Sequence, residues 1–285
     1  MAHEPPVLRH IAEMQADARQ ARARAETIAL VPTMGALHDG HLSLVAEARR
    51  RADRVVLSVF VNPTQFGLGE VYGNYPRDLV GDLERVSGHG IDVVFAPDAA
   101  EMYPFGFETY VEATRVTREL EGAVRPTHFR GVTTVVAKLF NIVRPHVALF
   151  GEKDYQQLKV IERMAADLAF DVEVVGMPTV REGDGLALSS RNAYLSPGER
   201  ARATALGRAL FRAEQLFRKG ERRRVVLAGE MTDVLIRDAE ARLDYVEIRD
   251  ARTLAPVPDE VVPPIVLLLA VRIGKTRLID NRVLT

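Results

Sequence analysis

Five short apolar runs, at 27–31, 55–61, 91–95, 147–150 and 172–175, set the strongest limit on what this chain can fold into. Between them lie stretches of helical spacing at 41–52, 78–88, 132–143 and 155–169. Strands that are apolar at nearly every position need cover on both faces, and alternation with helices supplies that cover through parallel crossovers. The expected fold class is therefore α/β: a Rossmann-like, doubly wound parallel sheet. The segment 10–25 mixes Glu13 and Asp17 with arginines and reads as an exposed amphipathic helix rather than a targeting sequence.

The pattern changes near residue 180. A polar segment, REGDGLALSSRN at 181–192, leads to Ser196-Pro-Gly-Glu199, a helix start with Ser at the cap, Pro first and Glu third. One long helix to about 219 and a second at 225–242 are expected, then strands at 245–249, 265–271 and 277–279. The last two form a hairpin around Gly274-Lys275. Two domains are thus expected: a catalytic Rossmann-like domain at 1–180 and a smaller C-terminal α+β domain at 181–285.

Composition narrows the chemistry. With 285 residues and a formal net charge of −1, nothing global points to nucleic acid or an anionic membrane. The apolar run at 265–271 is too short to span a bilayer. There is no cysteine, which removes disulfides, thiolate metal sites and a cysteine nucleophile. A cytoplasmic enzyme is the expectation, and any covalent intermediate must form on another group or on the substrate.

The chemistry concentrates in VPTMGALHDGHLSL at 31–44. His38 and His41 stand where an apolar strand gives way to a helix, with Gly40 permitting close approach. A helix N-terminus offers unpaired N–H groups and a positive dipole end, which suits phosphate. Two imidazoles there can stabilise charge on a departing pyrophosphate. A zinc site of the metalloprotease kind needs histidines four apart around a Glu, so the spacing is wrong. Two solvent-facing loop histidines are the bland alternative. LSSRN at 188–192 adds hydroxyls and a guanidinium that can close on a polyphosphate, although the same residues could serve as a helix-capping loop.

PTMGALHDGHLSL and LSSRN resemble the HIGH and KMSKS signatures of a nucleotidylyltransferase superfamily that includes class I aminoacyl-tRNA synthetases. FVNPTQFG (60–67), YPRDLVGDLE (75–84), RPTHFRGVTTVVAKLFNIVRP (125–145) and FGEKDYQQL (150–158) resemble one family within it, the pantothenate synthetases. The match runs in order over about 25–200; the C-terminal third adds little motif content.

The resemblance implies that ATP and pantoate form pantoyl adenylate and pyrophosphate, and that β-alanine then displaces AMP. By the family pattern His38, His41, Lys153 and Arg191 are catalytic. Met34, Gly151, Asp154, Val180, Ser189 and Ser190 join them in binding ATP. Gln65 and Gln157 grip pantoate near Met34 and Asn62, their amides orienting a small polar substrate without adding charge. Mg²⁺ is expected with ATP, no carboxylate cluster specifies a protein-held metal, and a homodimer is suggested by the family alone. No residue stands out as the base for the β-alanine amine.

Other features carry less. Gly274-Lys275-Thr276 mimics the end of a P-loop, but position 269 is Leu where that motif needs Gly. The basic run at 218–224 reads as a solvated surface, and His128 is as suited to ordering a loop as to touching a ligand. Leu188 stands where many relatives carry Met, and 68–74 is expected to form a gate over the site. The rival activity is a nucleotidylyltransferase passing AMP to a phosphorylated acceptor, which needs extra cations for that acceptor. A nucleotide-binding regulatory module would show damage to one half of the phosphate clamp, and both halves are intact.

Overall fold

The computed structural model describes residues 4–67 and 72–285, so most of the expected gate, 68–71, lies outside the described residues. The chain divides into two compact units, one formed by Met1–Glu152 and Val160–Pro178, the other by Lys153–Lys159 and Thr179–Thr285.

The first unit holds strands β1 (Val7–Leu8), β2 (Ile28–Thr33), β3 (Arg54–Val59), β4 (Val93–Phe95), β5 (Val147–Gly151) and β6 (Glu173–Met177). They form a parallel sheet in the order β1-β4-β3-β2-β5-β6. Its helices are α1 (Ile11–Ala23), α2 (Asp39–Arg51), α3 (Leu79–Val86), α4 (Ala99–Met102), α5 (Glu121–Val124), α6 (His128–Val143) and most of α7 (Tyr155–Asp167). Ala29 and Val31 of β2 share a core with Leu44, Val45 and Ala48 of α2. Ile28 and Leu30 face the opposite side and are equally buried, so the sheet is covered on both faces as its apolar strands require. The strand order reverses at β2, which pairs with β3 on one side and β5 on the other. The carboxyl ends of strands at such a reversal are where open α/β sheets bind ligands.

Two details differ from the sequence reading. The helix at 11–23 is not simply exposed: Met14, Ala18 and Ala21 are buried, and Asp17 pairs with Arg54. Their spacing of four and three residues makes one face part of the core. The two-residue β1 is too short to show as a periodic run and joins the sheet only through β4.

The second unit packs α8 (Pro197–Ala203), α9 (Ala205–Arg218) and α10 (Arg224–Ala239) with the antiparallel sheet β7 (Arg242–Asp250), β8 (Ile265–Ile273), β9 (Thr276–Leu284). Leu206, Leu210, Leu227 and Met231 meet Leu267, Leu269 and Val271 in its core. Ser196 and Glu199 close the expected capping box. The helix expected to run unbroken to 219 is interrupted at Thr204, whose hydroxyl bonds back to Ala201 O at 2.8 Å. Gly274 and Lys275 form the expected two-residue turn between Ile273 and Thr276, with positive φ at Gly274 as a II′ turn needs. The basic run is largely occupied, Arg218 with Glu214, Arg223 with Glu221, and Arg222 with the Phe217 carbonyl.

His146, just before β5, ties the central strands together. Its N–H donates to Ile28 O at 2.8 Å and its Nδ1 accepts from the Ile28 N–H at 2.9 Å. Burial, helped by Arg22, holds this imidazole below its ordinary 6.5. The unfolded chain therefore binds the proton more readily, and stability that is full above about 6.5 falls as the pH drops through the folded value. We expect His146→Leu to be less stable than the parent at pH 7.5, with the gap narrowing at pH 5.5; urea midpoints at the two values measure it. A gap that stays constant would remove His146 from the acid sensitivity.

Candidate active site

The turn from β2 into α2 carries the histidine pair, and its shape is unusual. Gly35 and Ala36 both have positive φ, 79° and 51°. A left-handed alanine costs about 1–3 kcal/mol and persists only where its surroundings hold it. Here the support is Asp82 from α3, whose buried carboxylate accepts the N–H groups of Ala36 at 3.0 Å and Leu37 at 2.7 Å. A side chain at Gly35 would begin 2.8 Å from Asp82 Oδ2, so glycine is required for both its φ and the close approach. Thr33 adds a second tie, donating to Ser58 O and accepting from Gly35 N–H.

His38 sits at the N-cap of α2 and His41 at its third position, with ring centroids 4.1 Å apart. His41 Nδ1 accepts the His38 backbone N–H at 3.2 Å, so a neutral His41 carries its proton on Nε2. An added side chain at Gly40 would stand 2.9 Å from the His38 ring, which explains the glycine between them. The pair therefore stands at a helix N-terminus, the place where backbone N–H groups and the dipole favour an anion.

A second group of expected residues meets in the same unit. Gln65 Nε2 lies 3.0 Å from Met34 Sδ, and Gln65 Oε1 accepts from Asn62 Nδ2 at 3.1 Å. Asn62 is 1% exposed, so it serves the site from within. His128 Nδ1 donates to Gln65 O at 2.9 Å from a buried position, which is a loop-ordering bond. Gly131 lets α6 reach this loop, since a side chain there would begin 2.3 Å from Thr64 O.

The remaining expected residues belong to the second unit, except Gly151, which ends β5 opposite Met177. Lys153, Ser189 and Arg191 line one recess together with Asn192, Arg277 and Asp280. The Lys153 ammonium is 4.0 Å from Asp154, and its carbonyl accepts from Asn281 Nδ2 at 2.8 Å. Ser189 Oγ accepts from Arg191 N–H, capping the turn Ser190–Tyr194, so the capping function considered from the sequence is present. Val180 contributes its carbonyl, which accepts from Leu188 N–H just ahead of the serines. Arg181 braces the loop by a two-pronged pair with buried Asp280 and a bond to Gly185 O. Gln157 is half-buried on α7. Among the described residues no three His, Cys, Asp or Glu side chains could hold a metal ion, and no helix is long and apolar enough to cross a membrane.

Asp82, Tyr103, Arg181, Asp280 and Asn281 were not singled out from sequence. Asp82 stands in the quoted YPRDLVGDLE, but the loop it grips is 45 residues away in the chain, a pairing no local pattern reveals.

Comparison with known proteins adds the following. The family model for pantoate–β-alanine ligase matches residues 6–283. A pantothenate synthetase of Geobacter sulfurreducens is 56% identical over 278 residues, covering 98% of each chain. One from Geotalea daltonii is 57% identical, covering 96% of this chain and 97% of the other. The crystal structure of the Thermus thermophilus pantothenate synthetase has a TM-score of 0.92 at 48% identity, covering 97% of this chain and 98% of that one. A Francisella tularensis pantoate–β-alanine ligase, solved with β-γ ATP and β-alanine, has a TM-score of 0.78 at 32% identity, covering 98% and 97%.

We expect Asp82→Ala to cost about 2–3 kcal/mol, because two N–H groups lose a charged acceptor. Urea unfolding measures this, and unchanged stability would mean that the left-handed turn stands without the carboxylate.

Proposed function

Because the chain belongs to the pantoate–β-alanine ligase family and is an enzyme of pantothenate synthesis, we propose that it works through a pantoyl adenylate. The pantoate carboxylate attacks the α-phosphorus of ATP, and the bond to the bridging oxygen breaks to release pyrophosphate. The β-alanine amine, as its neutral form, then attacks the acyl carbon. The amide forms, the amine proton passes to solvent, and AMP leaves. A carboxylate is a poor acyl donor until its oxygen becomes part of a good leaving group, and adenylation achieves this without an enzyme nucleophile. A chain with no cysteine is suited to that route.

The observation that carries this reading is the histidine pair at the start of α2, with His38 at the N-cap, His41 at the third position and the two rings 4.1 Å apart. In this reading His38, His41, Lys153 and Arg191 stabilise the charge that develops on pyrophosphate, where catalysis is mostly positioning and electrostatics. Met34, Gly151, Asp154, Val180, Ser189 and Ser190 complete the ATP contacts. Gln65 and Gln157 hold pantoate oxygens near Met34 and Asn62. The Francisella ligase, solved with an ATP compound and β-alanine, supports these substrates. Mg²⁺ belongs to the reading as the counter-ion of the ATP phosphates. A cytoplasmic location and a homodimer complete the proposal, the latter on the family resemblance.

The decisive test is exchange of labelled pyrophosphate into ATP with β-alanine left out. Exchange that depends on pantoate is expected; its absence in folded, ATP-binding protein would rule out the adenylate. Lys153→Ala should lower the exchange rate by about 10²–10³-fold or more, the scale seen when a donor to developing charge is lost. Near-native exchange in that variant would take Lys153 off the catalytic list.

A further inference from the structure

Asn62 has no hydrogen-bonding capacity left for a ligand. Its Oδ1 accepts from Thr64 Oγ1 at 2.9 Å, from Tyr103 hydroxyl at 2.8 Å and from Thr64 N–H at 3.3 Å. Its Nδ2 donates to Gly131 O and to Gln65 Oε1, both at 3.1 Å. A side-chain amide has two donor hydrogens and two acceptor lone pairs, so this residue is saturated. Its orientation is also fixed. The Thr64 backbone N–H can only donate and the Gly131 carbonyl can only accept, so the oxygen must face Thr64 and the nitrogen must face α6. Burial pushes the Tyr103 phenol up to about 12, which keeps its O–H a donor throughout the neutral range.

The consequence passes to the neighbouring glutamine. With Oε1 committed to Asn62, Gln65 can turn only its Nε2 away, and among the described residues the sole partner of Nε2 is the weakly accepting sulfur of Met34. The Gln65 backbone is held as well, its carbonyl accepting from His128 at 2.9 Å. We propose that Asn62 is a positioning residue that sets the polarity of the Gln65 amide, so that this subsite presents a donor and selects a ligand oxygen. This rests on the ligase reading, in which that ligand is pantoate. The same polarity disfavours an ammonium group, which brings only donors, and so helps keep the amine of β-alanine out of the pantoate subsite.

The test is Asn62→Asp, which keeps the shape but replaces the nitrogen by an acceptor. Gln65 Nε2 then turns inward to the new carboxylate and presents Oε1 to the ligand. The KM for pantoate should rise at least about tenfold, the scale of one mismatched buried hydrogen bond, with a smaller change in kcat and the KM for ATP within about twofold. A native pantoate KM, or equal losses for both substrates, overturns the proposal. Should that variant fail to fold, the unmodified protein decides. The Gln65 side-chain amide protons, identified in nitrogen-15 spectra by their loss in Gln65→Glu, should shift and exchange more slowly when pantoate is added. If calorimetry shows that pantoate binds while those protons do not respond, the polarity proposal fails alone. If pantoate does not bind even with an ATP analogue present, the ligase reading fails and takes the proposal with it.

Discussion

The turn from β2 into α2 depends on one buried carboxylate that holds it in a shape it would not keep by itself. Gly35 and Ala36 occupy left-handed backbone so that the chain leaves β2 and enters α2 with His38 at the cap. The cost of about 1–3 kcal/mol for the alanine is offset by two charge-assisted bonds to Asp82. Because those bonds go to the main chain, they fix where the helix starts rather than the side chains it displays. The mutual arrangement of the imidazoles comes from the His38 N–H to His41 Nδ1 bond and the bare face of Gly40.

The same economy recurs in both units: a saturated buried group fixes a backbone or an amide, and a neighbour is left to act. Asn62 spends all its bonds inside the fold and leaves Gln65 with one outward donor. In the second unit Asn281 holds the Lys153 carbonyl while the ammonium stays apart from that bond. Asp280 and Arg181 form a buried pair whose further bonds, to the Gly185 and Asn281 carbonyls, fix the segment ahead of Ser189. A buried pair contributes little net stability once desolvation is counted, whereas its geometric demands are strict. Its value here is the placement of the loop.

Local patterns made the frame readable. The apolar runs give β2 to β6, the Ser196–Glu199 box gives the start of α8, and Gly274-Lys275 gives the β8–β9 turn, because each depends on neighbours in sequence. The histidines and the Ser-Ser-Arg loop were legible for the same reason, as spacings within a few residues. The supporting groups were not. Asp82 reaches a loop 45 positions away, Tyr103 bonds Asn62 across 41, and Asn281 bonds Lys153 across 128. Gly131 left a trace, since a glycine inside a helix usually has a packing reason, but nothing in the sequence says that the reason is the Thr64 carbonyl. The Thr204 break was missed because a hydroxyl bonding back within one turn looks, in sequence, like any helical threonine.

Why an amide suits the proposed subsite for a substrate oxygen follows from the order of the proposed chemistry. In the proposed adenylating step the pantoate carboxylate is the nucleophile, so a full positive charge against it would stabilise the ground state and weaken the attack. A guanidinium would do that; a neutral N–H donor orients the oxygen and leaves most of its electron density in place. That solution works only if the amide cannot turn over and offer its carbonyl, which would repel the same oxygen. An isolated glutamine has no preference between the two orientations. The preference is imposed by Thr64 and Gly131, two backbone groups of opposite and unchangeable character, acting through Asn62. The polarity of the subsite is therefore a property of the main chain, set when α6 packs on the loop at 62–65 and fixed before any ligand arrives.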